Sequence, residues 1–221
     1  MSETTSLAER VDRGGLGTAV RVRRPPIAAA AALLALVPLA NIGWDAVTGG
    51  LGAEPVEALM RRTGWWALTL LVITLAVTPV RRFSGWNSLI QARRPLGVIA
   101  FAYASLHFTI YITIDQWFAV QYIVEDILER PFITAGFAAL VLLTPLAATS
   151  TRNSIRRIGG KRWRRLHRLI YPAALLAVLH YFWLVKADTR PPLLYAGIVI
   201  VLLLLRVRFA GARQGGKRGA R

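Results

Sequence analysis

No cysteine occurs in the 221 residues. That excludes disulfides, thiolate-held zinc, iron–sulfur clusters and thioether-attached c-type haem. Acid is scarce: 11 Asp and Glu stand against 28 Lys and Arg, a net charge of +17. Histidine is scarcer still, with only His107, His167 and His180. Internal repeats are missing, which argues against a solenoid, and so is a period-two alternation, which argues against a lipid-facing barrel. What the chain does have is apolar side chain, 55% of it. A soluble domain of that composition has no polar surface to expose, so the sequence reads as an integral membrane protein with its charges confined to loops and ends. A net charge of +17 in a soluble protein points to nucleic acid. Here the basic residues flank apolar runs, and anionic lipid headgroups are the simpler partner.

The predicted fold class is an all-α bundle of six transmembrane helices, in one domain spanning 27–209. A polar cytoplasmic tail, 1–26, precedes it and a basic tail, 210–221, follows it. The apolar stretches are 27–44, 64–80, 95–114, 131–149, 169–186 and 192–207. Each approaches the length of about 20 residues that a helix needs to cross a bilayer. Within lipid they must be helical, because backbone polar groups there have to be satisfied internally. Pro25 with Pro26, Pro95, Pro131 and Pro191 with Pro192 mark four helix starts, since proline suits a first turn. The first stretch reads as a retained anchor rather than a cleaved signal peptide, given the length of the tail before it.

Orientation follows from the basic residues. Alternate loops on one side receive 23 of the 28 Lys and Arg. The other side receives only Arg61, Arg62, Arg130, Lys186 and Arg190. Both termini are therefore expected in the cytoplasm. The outer loops carry Asp45, Glu54, Glu57, Asp115, Glu125, Asp126 and Glu129. Trp44, Trp65, Trp66, Trp117 and Trp183 stand near the outer span ends, where an interfacial aromatic belt belongs.

An ionisable residue inside a membrane is a functional-site hypothesis. His107 lies twelve residues past Pro95 and His180 twelve past Arg168, each about 18 Å deep on a helix running outward. Matched depth on parallel helices is what one porphyrin held by two axial imidazoles requires. The plainer alternative is two helix-packing histidines bonded to Ser105, Thr109, Tyr111 or Tyr181. A zinc or copper centre would need a carboxylate or third imidazole at that depth, and neither span offers one. His167 precedes His180 by thirteen residues, so on a straight helix the two rings point about 140° apart. Pro172 between them could kink or delay the helix and redirect His167. His167 could ligate a second iron, bond to a propionate or flavin phosphate, touch a quinone, or simply be interfacial. Arg93, Arg94, Arg164 and Arg165 are placed to pair with propionates or a phosphate, although a solvated inner loop also explains them. Gly97 and Gly136 could let a flat ring approach a backbone, or serve helix packing.

The segments RRPLGVIAFAYASLH (93–107), TAGFAALVLLTPLAATS (134–150) and WRRLHRLIYPAALLAVLHYFWLVK (163–186) resemble the MsrQ (YedZ) family. This family comprises haem-binding membrane subunits of bacterial protein-methionine-sulfoxide reductases. They are similar to the ferric reductase-like transmembrane domain shared with NADPH oxidases. The likeness covers roughly 64–208. It implies that His107 and His180 ligate b-type haem and that His167 is a third haem-associated histidine. In the oxidase relatives two helices carry two histidines each; here Arg93 stands where the fourth would be, which leaves one haem or two. The resemblance further implies haem b and FMN as cofactors, the quinone pool as electron source, and a periplasmic molybdopterin-containing catalytic subunit that reduces methionine sulfoxide. With both axial positions filled, the iron would carry electrons, and sulfoxide reduction would belong to the partner. The acidic and aromatic loop 115–130 is the expected dock. The rivals are a haem-dependent ferric or oxygen reductase, for which no nucleotide-binding module follows the last span, and a non-redox transporter or scaffold, for which repeated halves are missing.

Overall fold

In the computed structural model of the chain, residues 26–218 are described. All regular structure among them is helical. Helix α1 spans Pro26–Thr48, α2 Pro55–Ser84 and α3 Arg93–Ile110, the last continuing through a π-helical turn to Asp115. Then come α4 Val120–Glu129, α5 Pro131–Ala148, α6 Arg152–Ile158, α7 Gly160–Leu166, α8 Ile170–Leu184 and α9 Arg190–Arg218. The expected N-terminal tail lies outside the described residues except for Pro26, which opens α1. At the other end α9 continues as helix to Arg218, past the end of the apolar run at 207; residues 219–221 lie outside the described residues.

Among the described residues four helical stretches are long and apolar enough to cross a membrane: Pro26–Thr48, Pro55–Ser84, Asn87–Asp115 and Pro131–Ala148. The apolar stretches 169–186 and 192–207 fall on α8 and α9. Two helix pairs dominate the packing, α2 with α3 and α5 with α8. They meet through α3 against α5 and α2 against α8, while α1 leans on α2 and α3, and α9 on α2 and α8. Small residues make these approaches close: Ala173 and Ala174 of α8 are completely buried, and Ala100, Ala135 and Ala139 nearly so. In lipid, where burial of apolar surface no longer drives association, such close backbone packing holds helices together. Tyr103 reaches across to donate to the Ala35 carbonyl of α1, at 3.1 Å. Outward, Leu33, Leu34, Val37 and Leu204 are exposed, as lipid-facing residues would be, and so are Trp44, Trp117 and Trp183.

Two features depart from the sequence reading, and a third takes up an alternative it offered. The outer 115–130 loop contains a helix, α4, of strongly amphipathic pattern. It follows a turn in which Trp117 and Phe118 both have positive φ, 49° and 58°. The basic inner loop is largely two short helices, α6 and α7, split at Gly159 with φ 80°. The segment before His180 is not one helix: a 3-10 turn, His167–Leu169, separates α7 from α8. This is the late helix start that Pro172 made possible.

Candidate functional site

His107 of α3 and His180 of α8 face each other between the two helix pairs, with ring centroids 6.2 Å apart and planes at 73°. Their hydrogen-bond partners are not the hydroxyls beside them in sequence but backbone carbonyls across a helix interface. His107 Nδ1 lies 2.9 Å from the Met60 carbonyl of α2, and His180 Nδ1 lies 2.7 Å from the Phe132 carbonyl of α5. A carbonyl can only accept, so Nδ1 carries the proton in both rings and Nε2 keeps its lone pair. Thr63 Oγ1, fully buried, stands 3.5 Å from His107 Nδ1, but that hydroxyl already donates to the Leu59 carbonyl at 2.7 Å.

Imidazoles held in this way by a backbone carbonyl are suited to ligate a metal through Nε2. Two imidazole–metal bonds of about 2 Å, plus about 1 Å from each nitrogen to its ring centre, place two axial rings about 6 Å apart. The observed separation fits one iron held between them. Among the described residues no three His, Asp or Glu side chains converge, so the donor set is two neutral imidazoles. Such a set suits haem, whose remaining four ligands come from the porphyrin.

Glycine makes the arrangement possible. A Cβ built on Gly136 would lie 2.8 Å from His180 Nδ1 and 3.0 Å from Cε1. One built on Gly64 would lie 3.2 Å from the same two atoms of His107. The sequence reading named Gly136 and overlooked Gly64. Gly97, which it also named, faces Thr74 Cγ2 at an ordinary 3.4 Å and serves helix packing.

A second group of residues gathers at the opposite end of the bundle, near the α2–α3 turn. His167 stacks on Trp163, centroids 3.8 Å apart, and its Nδ1 lies 3.2 Å from the Trp163 carbonyl. Burial holds its imidazole below the usual histidine value, and the nearby Arg93 guanidinium pushes the same way against the Trp163 and Leu146 backbone carbonyls. Arg93 is half-buried close to Arg206 and Tyr171. Arg206 donates to the Leu75 carbonyl at 2.9 Å and to the Tyr171 hydroxyl at 3.2 Å. Buried here without a hydrogen-bond partner among the described residues are His167 Nε2, Arg206 Nε, Arg81 Nε, Gln91 Oε1 and Thr78 Oγ1. Buried polar groups are normally satisfied. Every described Asp and Glu belongs to the other end, so the buried N–H donors of Arg81 and Arg206 have no carboxylate there, and an anion is what such donors would take. Arg94, Arg164 and Arg165 are exposed and are not brought to either histidine group. Arg206 was missed because it reads as the first charge after an apolar run, not as a buried residue.

At the outer end Tyr111, one helical turn beyond His107, donates to Asp126 Oδ2 at 3.0 Å, and Arg130 Nε binds Asp126 Oδ1 at 2.9 Å. The Asp126 side chain is only 13% exposed. Of the four carboxylates expected to form a dock, it alone is largely enclosed; Asp115 Oδ2 accepts from Gln116 Nε2 at 2.9 Å but stays exposed. Asp115, Glu125 and Glu129 are exposed.

Known proteins resemble this chain along most of its length. The model of the family "Ferric reductase like transmembrane component" matches residues 63–178, a range that holds His107 and His167 and ends two residues before His180. The chain is 49% identical over 184 residues to the protein-methionine-sulfoxide reductase heme-binding subunit MsrQ of Herminiimonas arsenicoxydans, covering 82% of this chain and 84% of that one. It is 50% identical over 183 residues to MsrQ of Rhodospirillum rubrum, covering 83% and 88% of the two chains. With MsrQ of Xanthomonas axonopodis pv. citri it shares 52% over 187 residues, covering 81% and 85%. No solved structure matches. On both counts, a transmembrane family model over more than half of the chain and identities near one half along most of it, this chain belongs to the MsrQ family of ferric reductase-like membrane proteins.

Proposed function

We propose that the chain is a six-span b-type cytochrome of the bacterial inner membrane, with both termini cytoplasmic. In this reading it relays electrons from the quinone pool to a periplasmic molybdopterin-containing subunit that reduces methionine sulfoxide in oxidised proteins. The observation that carries the reading is the His107–His180 pair, two imidazoles with free Nε2 atoms at the spacing of axial ligands. The names of the relatives, heme-binding subunits of a methionine-sulfoxide reductase, point the same way. Bound haem supplies one-electron carriage at a potential set by its ligands and burial. The Met60 and Phe132 carbonyls orient the rings and raise their basicity. Helices α2, α3, α5 and α8 keep water from the site.

The inner group supports a second anionic cofactor, either another haem or FMN. With its Nδ1 on the Trp163 carbonyl, His167 keeps a lone pair on Nε2 that can ligate a metal, and Arg93 with Arg206 is placed to hold a propionate or phosphate. The exposed Arg94, Arg164 and Arg165 belong to the entry side, where they attract anionic lipid or an electron donor. On the outer side Asp115, Glu125 and Glu129 steer the partner.

A reduced-minus-oxidised spectrum of the purified chain, with haem quantified as the pyridine haemochrome, tests the reading. A low-spin b-type spectrum with at least one haem per chain is expected, lost in His107→Ala and in His180→Ala. A chain that binds no haem, or both variants with the wild-type spectrum and content, would refute it.

A further inference from the structure

One local device occurs twice in this bundle. On α2 the Met60 carbonyl accepts from His107, and four residues on, Gly64 lies under the ring. On α5 the Phe132 carbonyl accepts from His180, and four residues on, Gly136 lies under that ring. In each case the histidine is on the helix most closely packed against the one carrying the glycine. We infer that Gly64 and Gly136, each with the carbonyl one turn before it, are the positioning elements that set the plane of the two histidine rings and so the coordination state of the haem. This inference rests on the haem reading above and goes beyond it to residues outside the ligand set.

A hydrogen bond to Nδ1 alone leaves the imidazole free to swing about that bond. A second constraint is needed to fix the plane, and the glycine backbone provides it as a flat wall. Ring atoms on both sides of Nδ1 lie close to it: at Gly136 the added Cβ would meet Nδ1, Cε1 and Cγ at 2.8, 3.0 and 3.1 Å. At Gly64 the same atoms would be met at 3.2, 3.2 and 3.7 Å. The two sites are thus graded. An alanine at 136 forces the ring to move, while an alanine at 64 asks it to yield by a few tenths of an ångström. Among the other described glycines none lies under a ring: Gly43 and Gly197 have no neighbour within 4 Å that a Cβ would meet.

Helix propensity predicts the opposite sign. Alanine is favoured over glycine in a helix interior by about 1 kcal/mol, so a glycine with no steric duty should accept the change with unaltered or improved stability. A ring forced off its plane instead loses either the carbonyl or the iron. Losing such an orienting contact typically weakens metal binding about ten- to a hundred-fold.

The test uses the full chain in detergent, with Gly136→Ala, Gly64→Ala and the controls Gly43→Ala and Gly197→Ala. Haem per chain, the low-spin spectrum and carbon monoxide binding to the reduced protein are read for each. Carbon monoxide binds iron only where an axial position opens, so it reports ring displacement directly. Expected is a chain with Gly136→Ala that loses low-spin haem or gains carbon monoxide binding, a smaller change in the same direction for Gly64→Ala, and wild-type behaviour for both controls. The inference is overturned if both site variants keep the wild-type spectrum, haem content and insensitivity to carbon monoxide. Losses of equal size in the controls would overturn it too, as would a lower yield with an unchanged spectrum. Should Gly136→Ala fail to accumulate, Gly64→Ala decides by the same readouts. A wild-type chain without haem would overturn the haem reading itself, and this inference with it.

Discussion

Neutralising the outer carboxylates should separate into two effects that the structure distinguishes. Asp115, Glu125 and Glu129 are exposed, whereas Asp126 is enclosed by Tyr111 and Arg130. For an exposed charge about 10 Å from an opposite charge on a docking partner, attraction in water is about 0.4 kcal/mol. Three such charges contribute about 1.2 kcal/mol, or about eightfold in encounter rate at very low salt. At physiological ionic strength, with a screening length of about 8 Å, the same three contribute about twofold. The triple variant Asp115→Asn/Glu125→Gln/Glu129→Gln should therefore slow electron delivery to the periplasmic subunit by these factors, with haem reduction by quinol unchanged. Asp126→Asn behaves otherwise. It removes a charged acceptor from a buried tyrosine and an ion pair, at a cost of about 1–3 kcal/mol in stability, and its effect should not track salt. The assay is stopped-flow oxidation of the reduced cytochrome by the partner, run across a salt series beside thermal unfolding of each variant. A triple variant with wild-type rates at low salt would refute the docking surface. An Asp126→Asn protein whose defect disappears with salt would refute the structural role given to Asp126.

Single replacements His107→Ala and His180→Ala should each abolish bis-imidazole haem while the chain still inserts, as read from the low-spin bands of the membrane fraction. His167→Ala should leave those bands intact: if His167 ligates a second iron, haem per chain falls by about one, as expected for a ligand lost outright, and if it holds a propionate or phosphate, reduction from the cytoplasmic side slows at constant haem content. Unchanged content and kinetics would assign it to the stack on Trp163 alone. Arg206→Met removes the bonds to the Leu75 carbonyl and the Tyr171 hydroxyl; at about 1.5–3 kcal/mol for a charged hydrogen bond, its thermal midpoint should fall clearly, and Tyr171→Phe, which leaves the Leu75 contact, should fall less.

The parts of the site that could be read in the sequence are those fixed by counting along one helix. His107 and His180 share a depth because each is a fixed rise from a recognisable start, and the structure does bring them together. Gly64 could not be found that way. Its role depends on which side chain arrives from another helix, and a glycine in an apolar run carries no mark of its neighbour. The acceptors were missed for the same reason: sequence proximity suggested Ser105, Thr109 and Tyr181, but the rings reach carbonyls 47 and 48 residues away. Helix α4 escaped because its ten residues lie inside a loop defined only by what flanks it. The break at His167–Leu169 was half visible, since Pro172 marked the place without saying on which side the helix would resume.

Arg93 beside Arg206, with no acid at that end of the described bundle, also bears on how the protein comes to exist in the cell. Two like charges held close in a partly dry setting repel, and the folded chain without its prosthetic groups carries that repulsion unrelieved. Whatever anion enters binds the folded form and not the unfolded one, so its binding energy adds directly to folding stability. Cofactor supply and protein abundance would then be linked: with the inner cofactor scarce, the nascent chain would stay longer in its less stable form. The amount of this protein in the membrane would follow cofactor availability, with no change in transcription required.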